Sequence, residues 1–239
     1  MTFILPSFGA SAISAVPGGG GGGLTNNYSL SFDGTNDYGD AGVVSALQNA
    51  SAFSFSVWFK KGAASEFPAW GGYSSGSDQV SGHGYLNDLW FNVRNSIETR
   101  YVVPSSNLPS DTTDFHHYVY TFDGGTFKVY VDGTERSGTK SNSGTTSSGT
   151  ANFNFKIGFQ GFHYDQGLYD EFAIFSSALS SSDVTAIYNS GTPDSLSSYS
   201  PVAWWRMEEG SGTSVVNTAN SGTNDVTLYN GPTFSTDTP

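Results

Sequence analysis

The sequence contains no cysteine among its 239 residues. Disulfide bonds, thiolate zinc sites and cysteine nucleophiles are therefore excluded, and the redox compartment is left open. Positive charge is also scarce, with 9 Lys and Arg against 21 Asp and Glu and a net charge of −12. Because an acidic chain is repelled by a phosphate backbone, we expect no nucleic acid partner.

Long apolar runs are missing as well. No stretch approaches the roughly 20 apolar residues that cross a bilayer, so we expect no membrane span. The apolar N-terminus lacks the basic region of a secretory signal, and Pro6 and Gly9 interrupt its apolar stretch. We therefore expect no signal peptide.

Aromatic residues and glycine are abundant. Aromatic residues make up 15% of the chain and glycine accounts for 30 positions, while charged residues make up only 13%. The aromatic side chains are sufficient for a large core rich in rings, and the glycines supply turns. This composition is typical of many short strands joined by many turns.

Apolar and polar residues alternate along several stretches, and this period of two predicts strands with one face in a core. One such stretch covers residues 53–59. Two others, 118–122 and 127–131, flank an Asp-Gly-Gly-Thr turn, which predicts a β-hairpin. Interior strands are also predicted at 153–157 and 168–175.

A single short helix is predicted after the last of these strands. Ser180 and Asp183 have the spacing of a capping box, and Val184 and Ile187 lie on one helical face. The Ser, Thr and Gly stretch at residues 139–150 is predicted to be an exposed loop.

The N-terminal residues 1–27 differ in composition from the rest. An apolar head is followed by Pro17 and six consecutive glycines at 18–23, which predict a flexible hinge. We interpret the head as an anchoring arm for a partner protein, the alternative being an unattached tail. The anchoring residues we expect are Phe3, Ile4, Leu5 and Phe8.

Four segments resemble the laminin G-like, concanavalin A-like jelly rolls, especially their bacterial and phage branch. They are SLSFDGTNDYGD with AFSFSVWFK, FHHYVYTFDGGTFKVYVDG, GLYDEFAIFSSALSSSDVTAIYNSG, and AWWRMEEGSGT with ANSGTNDVTLYNG. The resemblance implies an all-β antiparallel sandwich with one short helix. Residues 28–239 are then one jelly-roll domain.

The fourth segment departs from the order that is usual in the family, because it closes the chain instead of opening it. We expect a permuted connection in which residues 202–207 pair beside 28–32, so that the segment 201–235 completes the sandwich. The alternative is a truncated second domain, but some 40 residues do not easily bury a core of their own.

A glycan site needs exposed rings for sugar faces and amides or carboxylates for hydroxyl groups. Residues 67–90, interpreted as a loop, supply both. The alternative is that several of these rings belong to the core. The candidate glycan-binding residues are Trp70, Tyr73, His83, Tyr85, Asn87 and Asp88.

Calcium is the one cofactor that we consider, and none is required. Relatives of the laminin G-like fold often bind calcium at the rim of the sandwich, and Asp33 and Asp37 flank a tight turn. The favoured alternative is an Asx-turn formed by the same residues.

Hydrolysis of glycans requires two carboxylates about 5 Å or more apart. No suitable spacing occurs, since Asp170 and Glu171 are adjacent and are predicted to point to opposite faces of a strand. The four histidines are interpreted as packed or hydrogen-bonded groups. We therefore expect no enzymatic activity.

These features favour a structural protein on the surface of a bacteriophage virion, either a capsid decoration or fibre or a tail fibre. Residues 1–23 would attach it to other virion proteins, while the jelly roll would bind glycans. By analogy with other phage surface proteins we expect a homo-oligomer. The alternatives are a bacterial surface or secreted carbohydrate-binding adhesin and, less favoured, a glycan-cleaving enzyme.

Overall fold

The structure, a computed structural model, describes residues 24–74, 77–141, 144–150, 152–161 and 163–239, without the side chains of residues 73–79. The expected anchoring residues Phe3, Ile4, Leu5 and Phe8 lie outside the described residues. The strands are β1 (Ser29–Asp33), β2 (Tyr38–Asp40), β3 (Ala52–Lys61), β4 (Trp70–Ser74), β5 (Ser77–Tyr85), β6 (Asp88–Asn95), β7 (Ile97–Val103), β8 (His116–Asp123), β9 (Thr126–Val131), β10 (Thr134–Arg136), β11 (Thr139–Lys140), β12 (Lys156–Ile157), β13 (Phe159–Gln160), β14 (His163–Tyr164), β15 (Gln166–Phe175), β16 (Ala203–Trp205), β17 (Ser214–Val215), β18 (Val226–Tyr229) and β19 (Thr233–Ser235), and the α-helix is α1 (Ser181–Tyr188).

The strands of the described residues form two large antiparallel sheets. The eight-stranded sheet has the order β10-β9-β8-β3-β15-β1-β19, with β16 also paired to β15. The nine-stranded sheet has the order β11-β7-β6-β5-β4-β12-β2-β18-β17, and β13 and β14 form a separate hairpin. The predicted all-β sandwich with one short helix is confirmed. No helix among the described residues is long and apolar enough to cross a membrane.

The core lies between the two sheets and consists largely of rings. In β3, Phe53, Phe55 and Phe59 alternate with residues on the opposite face and reach the core. Trp70 and Phe91 meet them from the nine-stranded sheet, with the Phe55 and Trp70 ring centroids 4.1 Å apart. The period of two in the sequence therefore identified the core side of this strand correctly.

Apolar residues also cover the other face of the eight-stranded sheet. The alternation of apolar and polar residues in the strands did not predict this second covered face. Val184 and Ile187 of α1 close a second apolar cluster against this face. Ser54, which the pattern assigned to the polar side of β3, is fully buried beneath the chain that leads into α1, where it accepts a hydrogen bond from the Leu179 N–H. The predicted capping box of α1 is confirmed, since Ser180 and Asp183 exchange hydrogen bonds.

The predicted hairpin is formed by β8 and β9. Its turn residues Gly124 and Gly125 have φ angles of +52° and +97°, which side chains rarely adopt. A Cβ on Gly125 would also lie 2.9 Å from the carbonyl oxygen of Thr145. The two glycines therefore fix both the turn and its contact with the neighbouring chain.

Residues 201–235 contribute strands to both sheets, but not with the predicted pairing. The segment 202–207 does not pair with 28–32, because β16 lies along β15 at Phe172–Ile174 while β1 lies along the same strand at Gln166–Tyr169. The two strands are thus placed one after the other on one edge of β15. Instead, β19 pairs with β1 and β18 pairs with β2.

Two further predictions of local structure need correction. Of the predicted strand 153–157, only Lys156–Ile157 forms a strand, although Phe155 is fully buried and its backbone hydrogen-bonds to Ala41 and Gly42. In the predicted exposed loop 139–150, Thr145 and Ser148 are buried, and the Ser148 hydroxyl donates to the Leu47 carbonyl at 2.6 Å. Short polar side chains that satisfy buried backbone groups do not show in an apolar pattern.

Candidate functional site

A hollow lies on the outer face of the nine-stranded sheet, where β2, β12 and β4 are adjacent. Asp40, Lys156 and Gly71 are paired across these three strands. The residues next to them in sequence, Gly39, Ile157 and Trp70, face the core. Because successive residues of a strand point to opposite faces, Asp40, Lys156 and Gly71 face outward. The hollow encloses about 350 Å³ and is lined by Asp40, Gly71, Gly72, Asn152, Phe153, Asn154, Lys156, Phe159, Gln160 and Gly161.

Glycine forms the floor of the hollow. A Cβ on Gly72 would lie 1.6 Å from the ring of Phe153, so the ring packs directly on the bare backbone. Gly71 and Gly72 are both buried, and Gly71 is paired with Lys156 on one side and Ser81 on the other, so the two glycines shape the floor through their lack of side chains. The β13–β14 hairpin contacts β4 and β5 and supplies Phe159 as one wall.

The polar groups in the hollow are held by one another and by neighbouring rings. The Asn154 amide donates to Asp40 at 3.0 Å, and Asp40 also accepts from the Gly42 N–H at 2.8 Å. The Lys156 ammonium lies 4.3 Å from the ring centroid of Tyr38 and 5.1 Å from that of Phe159. The hollow therefore presents amides, a carboxylate and an ammonium group beside aromatic rings.

Four of the predicted glycan-binding residues lie farther along the same sheet, and two of them form an aromatic cluster. Residues 67–90 are largely strands rather than a loop, since they contain β4 and β5. Tyr85 is half exposed, with its ring centroid 4.6 Å from that of Trp90, and Arg100 lies over the Trp90 ring at 4.9 Å. His83 is buried beside Trp90, and burial lowers the pKa of His83 to about 4, so this imidazole is neutral.

Asn87 lies in the turn that joins β5 and β6, and Asp88 is the first residue of β6. Asn87 is exposed and has a φ angle of +67°, a conformation for which Asn is well suited. Asp88 accepts a hydrogen bond from the Ser105 N–H at 2.9 Å. Asn87 therefore remains available to a ligand, whereas Asp88 is engaged in holding a neighbouring turn.

The expectation that Trp70 offers an exposed ring is corrected by the structure. Trp70 is fully buried in the core and contacts Phe55 and Tyr120. The alternative that some rings of this stretch belong to the core holds for this residue. The side chain of Tyr73 lies outside the described residues.

Asp33 and Asp37 lie at the turn between β1 and β2. Asp33 accepts a hydrogen bond from the Thr35 N–H at 2.7 Å, which is the Asx-turn of the favoured alternative. Asp37 is buried, and burial together with the charge of Asp33 raises its pKa. Calcium binding by this pair stays a prediction.

The structure brings together three residues that the sequence did not connect. His163 Nε2 lies 2.9 Å from a carboxylate oxygen of Glu66 and 3.0 Å from one of Asp165. Donation of hydrogen bonds from the His163 ring to these two carboxylates raises the pKa of His163 to about 10, whereas burial raises the pKa of Asp165 to about 6. The His-x-Asp spacing was the visible signal, since His163 in β14 and Asp165 directly after that strand are two residues apart.

The adjacent carboxylates Asp170 and Glu171 do not follow the predicted alternation. The pairing of β15 with β3 is irregular between Asp170 and Ala173, and Glu171 has a φ angle of +48°. Asp170 accepts from the Asn26 amide, while Glu171 accepts from Trp204 Nε1 at 2.6 Å. Both carboxylates are therefore occupied in holding neighbouring segments.

The remaining histidines are held in place by protein groups. His117 is fully buried, and its Nε2 lies 2.7 Å from the Ser56 hydroxyl. Burial lowers the pKa of His117 to about 3. His116 pairs through Nδ1 with Asp132 at 2.7 Å and through Nε2 with Asp111 at 2.9 Å.

The residues of the hollow were missed in the sequence because they come from distant segments. A signal was present, since Asn152, Asn154 and Lys156 alternate with apolar residues and so share one face. Asp40 and Gly71 join them only through strand pairing. Such pairing is not visible in a single sequence.

Residues 33–185, more than half of the chain, match the laminin G-like family model described as the concanavalin A-like lectin/glucanases superfamily. Comparison with curated proteins gives no match. Among solved structures, a heptameric pentraxin of Limulus polyphemus is similar with a TM-score of 0.53 and 16% identity, over 68% of this chain and 82% of the pentraxin chain. A candidate carbohydrate-binding protein of Bacteroides ovatus is similar with a TM-score of 0.60 and 18% identity, over 89% of this chain and 60% of that one.

Proposed function

Since the chain belongs to the concanavalin A-like lectin/glucanases superfamily, we propose that it is a carbohydrate-binding protein whose ligand occupies the hollow on the nine-stranded sheet. The observation that carries this proposal is the combination of groups around that hollow. Amides of Asn152, Asn154 and Gln160 line the hollow together with the Phe159 ring and the side-chain-free floor of Gly71 and Gly72.

This combination suits a sugar. Hydroxyl groups need donors and acceptors in fixed positions, and the C–H face of a sugar ring packs on an aromatic side chain. The volume of about 350 Å³ is within the range of small-ligand pockets. Tyr85 and Trp90 on the same sheet offer a second aromatic surface along which a longer glycan would extend.

We propose binding without hydrolysis. Among the described lining residues of the hollow, Asp40 is the single carboxylate, and it is engaged by Asn154 and Gly42. Cleavage by the usual route needs a second carboxylate across the scissile bond. A reducing-sugar assay on mixed polysaccharides tests this part, and release of reducing ends above a denatured control would contradict it.

Glycan arrays followed by calorimetry test the binding site. Replacing Phe159 by Ala removes a ring contact of about 1.4 kcal/mol, so we expect Kd to rise roughly tenfold. Asn154→Ala is expected to weaken binding as well, while Asn107→Ala, in a separate polar hollow, is the matched control. If Tyr85→Ala abolishes binding and Phe159→Ala has no effect, the site is the aromatic cluster and not the hollow.

The setting that we propose is the surface of a bacteriophage virion, with residues 1–23 as the attachment segment and a homo-oligomer as the displayed form. The support is the apolar head followed by six glycines and the resemblance of the sequence to the phage branch. Full-length protein and protein lacking residues 1–23 would be co-sedimented with phage particles at matched concentration. Binding by the full-length chain alone supports the setting, whereas binding by neither chain favours an adhesin.

A further inference from the structure

Glu66, His163 and Asp165 meet at one point beside the sheet that carries the hollow. Within the described ranges, this is the only set of three metal-ligating side chains whose donor atoms lie within 4.8 Å of one another. The glycan proposal does not use these residues. We propose that they form a binding site for a divalent transition metal ion, with Zn²⁺ as the probe.

The distances are close to those that an ion requires. Zn²⁺ binds His nitrogen and carboxylate oxygen at about 2.0–2.2 Å, so that tetrahedral ligands lie roughly 3.4 Å apart. His163 Nε2 now lies 2.9 Å from Glu66 and 3.0 Å from Asp165. An outward movement of roughly 0.5 Å would admit the ion and leave a fourth position for water or a ligand.

Asp165 is oriented for this role by its surroundings. One carboxylate oxygen, Oδ2, accepts from the Ala69 N–H at 2.5 Å and from the Tyr169 hydroxyl. The other oxygen, Oδ1, faces His163. Hydrogen bonds of this kind fix the direction of a metal ligand and increase its affinity. Asp165 is fully buried while the His163 side chain is 39% exposed, so the site has both a rigid base and a path from solvent.

The donor set selects the class of metal. Calcium takes six to eight oxygen ligands, whereas an imidazole nitrogen with two carboxylates suits zinc and its neighbours. This site is therefore distinct in chemistry and position from the calcium prediction at Asp33 and Asp37.

His83 provides a second and independent observation. Its Nδ1 is buried and has no hydrogen-bond partner among the described residues. His83 is only 7% exposed, and its strand β5 is contacted by the β13–β14 hairpin that carries His163.

The test is a calorimetric titration of Zn²⁺ into the full, tag-free chain after treatment with EDTA. We expect one equivalent per chain and at least a tenfold loss of affinity in both His163→Gln and Glu66→Gln, since even outer contacts of metal ligands contribute 10- to 100-fold. His116→Gln is the matched control, because His116 also has two carboxylate partners but bonds them through different ring nitrogens.

A second readout is the visible spectrum of Co²⁺ added in place of Zn²⁺, which we expect to show the intense bands of four- or five-coordinate cobalt. Circular dichroism of each variant establishes that it is folded. The proposal is overturned if the chain binds neither ion, or if His163→Gln and His116→Gln bind Zn²⁺ equally well. Either result assigns the three residues to a structural network of two ion pairs that share His163.

Discussion

The buried His117 is expected to make the fold sensitive to acid. Its ring is fully buried and stacks against Trp58 with centroids 4.9 Å apart, and its Nδ1 has no hydrogen-bond partner among the described residues. Burial lowers its pKa to about 3, against an ordinary value of 6.5. Because the folded-state pKa is depressed, the stability that the neutral ring contributes is fully present above pH 6.5 and is lost as the pH falls towards 3.

The size of the effect follows from these two values. Between them, each pH unit changes the free energy of unfolding by about 1.4 kcal/mol. Acidification from pH 7 to pH 4 therefore removes about 3 kcal/mol through His117. This is a large fraction of the roughly 5–15 kcal/mol by which domains are stable.

The assay is urea unfolding of the wild type and of His117→Gln at pH 7 and pH 4. Buried Asp165 and Glu171 act in the opposite direction, because their pKa values are raised and their stability contribution falls as the pH rises through about 6 and 7. Both proteins share these carboxylates, so the difference between their pH dependences isolates His117. Equal losses of stability on acidification in the two proteins would refute the argument.

Three further predictions concern other parts of the molecule. Gly72→Ala places a Cβ 1.6 Å from the Phe153 ring, so we expect it to deform the hollow and reduce glycan affinity more than Asn107→Ala, as measured by calorimetry. The raised pKa of His163 contributes stability that is present below pH 6.5 and is lost as the pH rises through about 10, so thermal melts of His163→Gln should show a flatter pH dependence in that window. Ser180→Ala removes the cap of α1 and should destabilise the fold by about 1 kcal/mol in urea, while Ser181→Ala serves as its control.

Much of the fold could be predicted from local patterns in the sequence. The alternation in residues 53–59, the glycine turn between β8 and β9, and the capping box of Ser180 each depend on neighbours within a few residues. These local patterns reflect what a strand, a tight turn and a helix end each require of their own residues. The structure accordingly confirms the element types at these positions.

Predictions that depended on distant contacts were less accurate. Trp70 occurs in an aromatic-rich stretch whose sequence is compatible with either a surface or a core position. Its core position is evident only from the packing of Phe55 and Tyr120 against its ring. Glu171 departs from strand alternation because of an irregularity in the pairing of β15 with β3. The residues on either side of Glu171 give no indication of this irregularity in the sequence. The hollow and the Glu66 cluster depend on pairings between segments about 100 residues apart, for which one sequence holds no signal.

The placement of residues 201–235 in both sheets also constrains how the protein is made. The Ser29 hydroxyl donates a hydrogen bond to the Asp237 carbonyl, 208 residues away in the sequence. The Asn224 amide likewise donates to the Ala41 carbonyl, 183 residues away. While a ribosome is still producing the last strands, the edges of β1 and β2 that will receive them are unpaired. Contacts between residues so far apart in the sequence form slowly during folding. Until they form, the unpaired strand edges can pair with strands of other chains. We expect yield during synthesis to depend on chaperones and on temperature well before the stability of the finished fold becomes limiting.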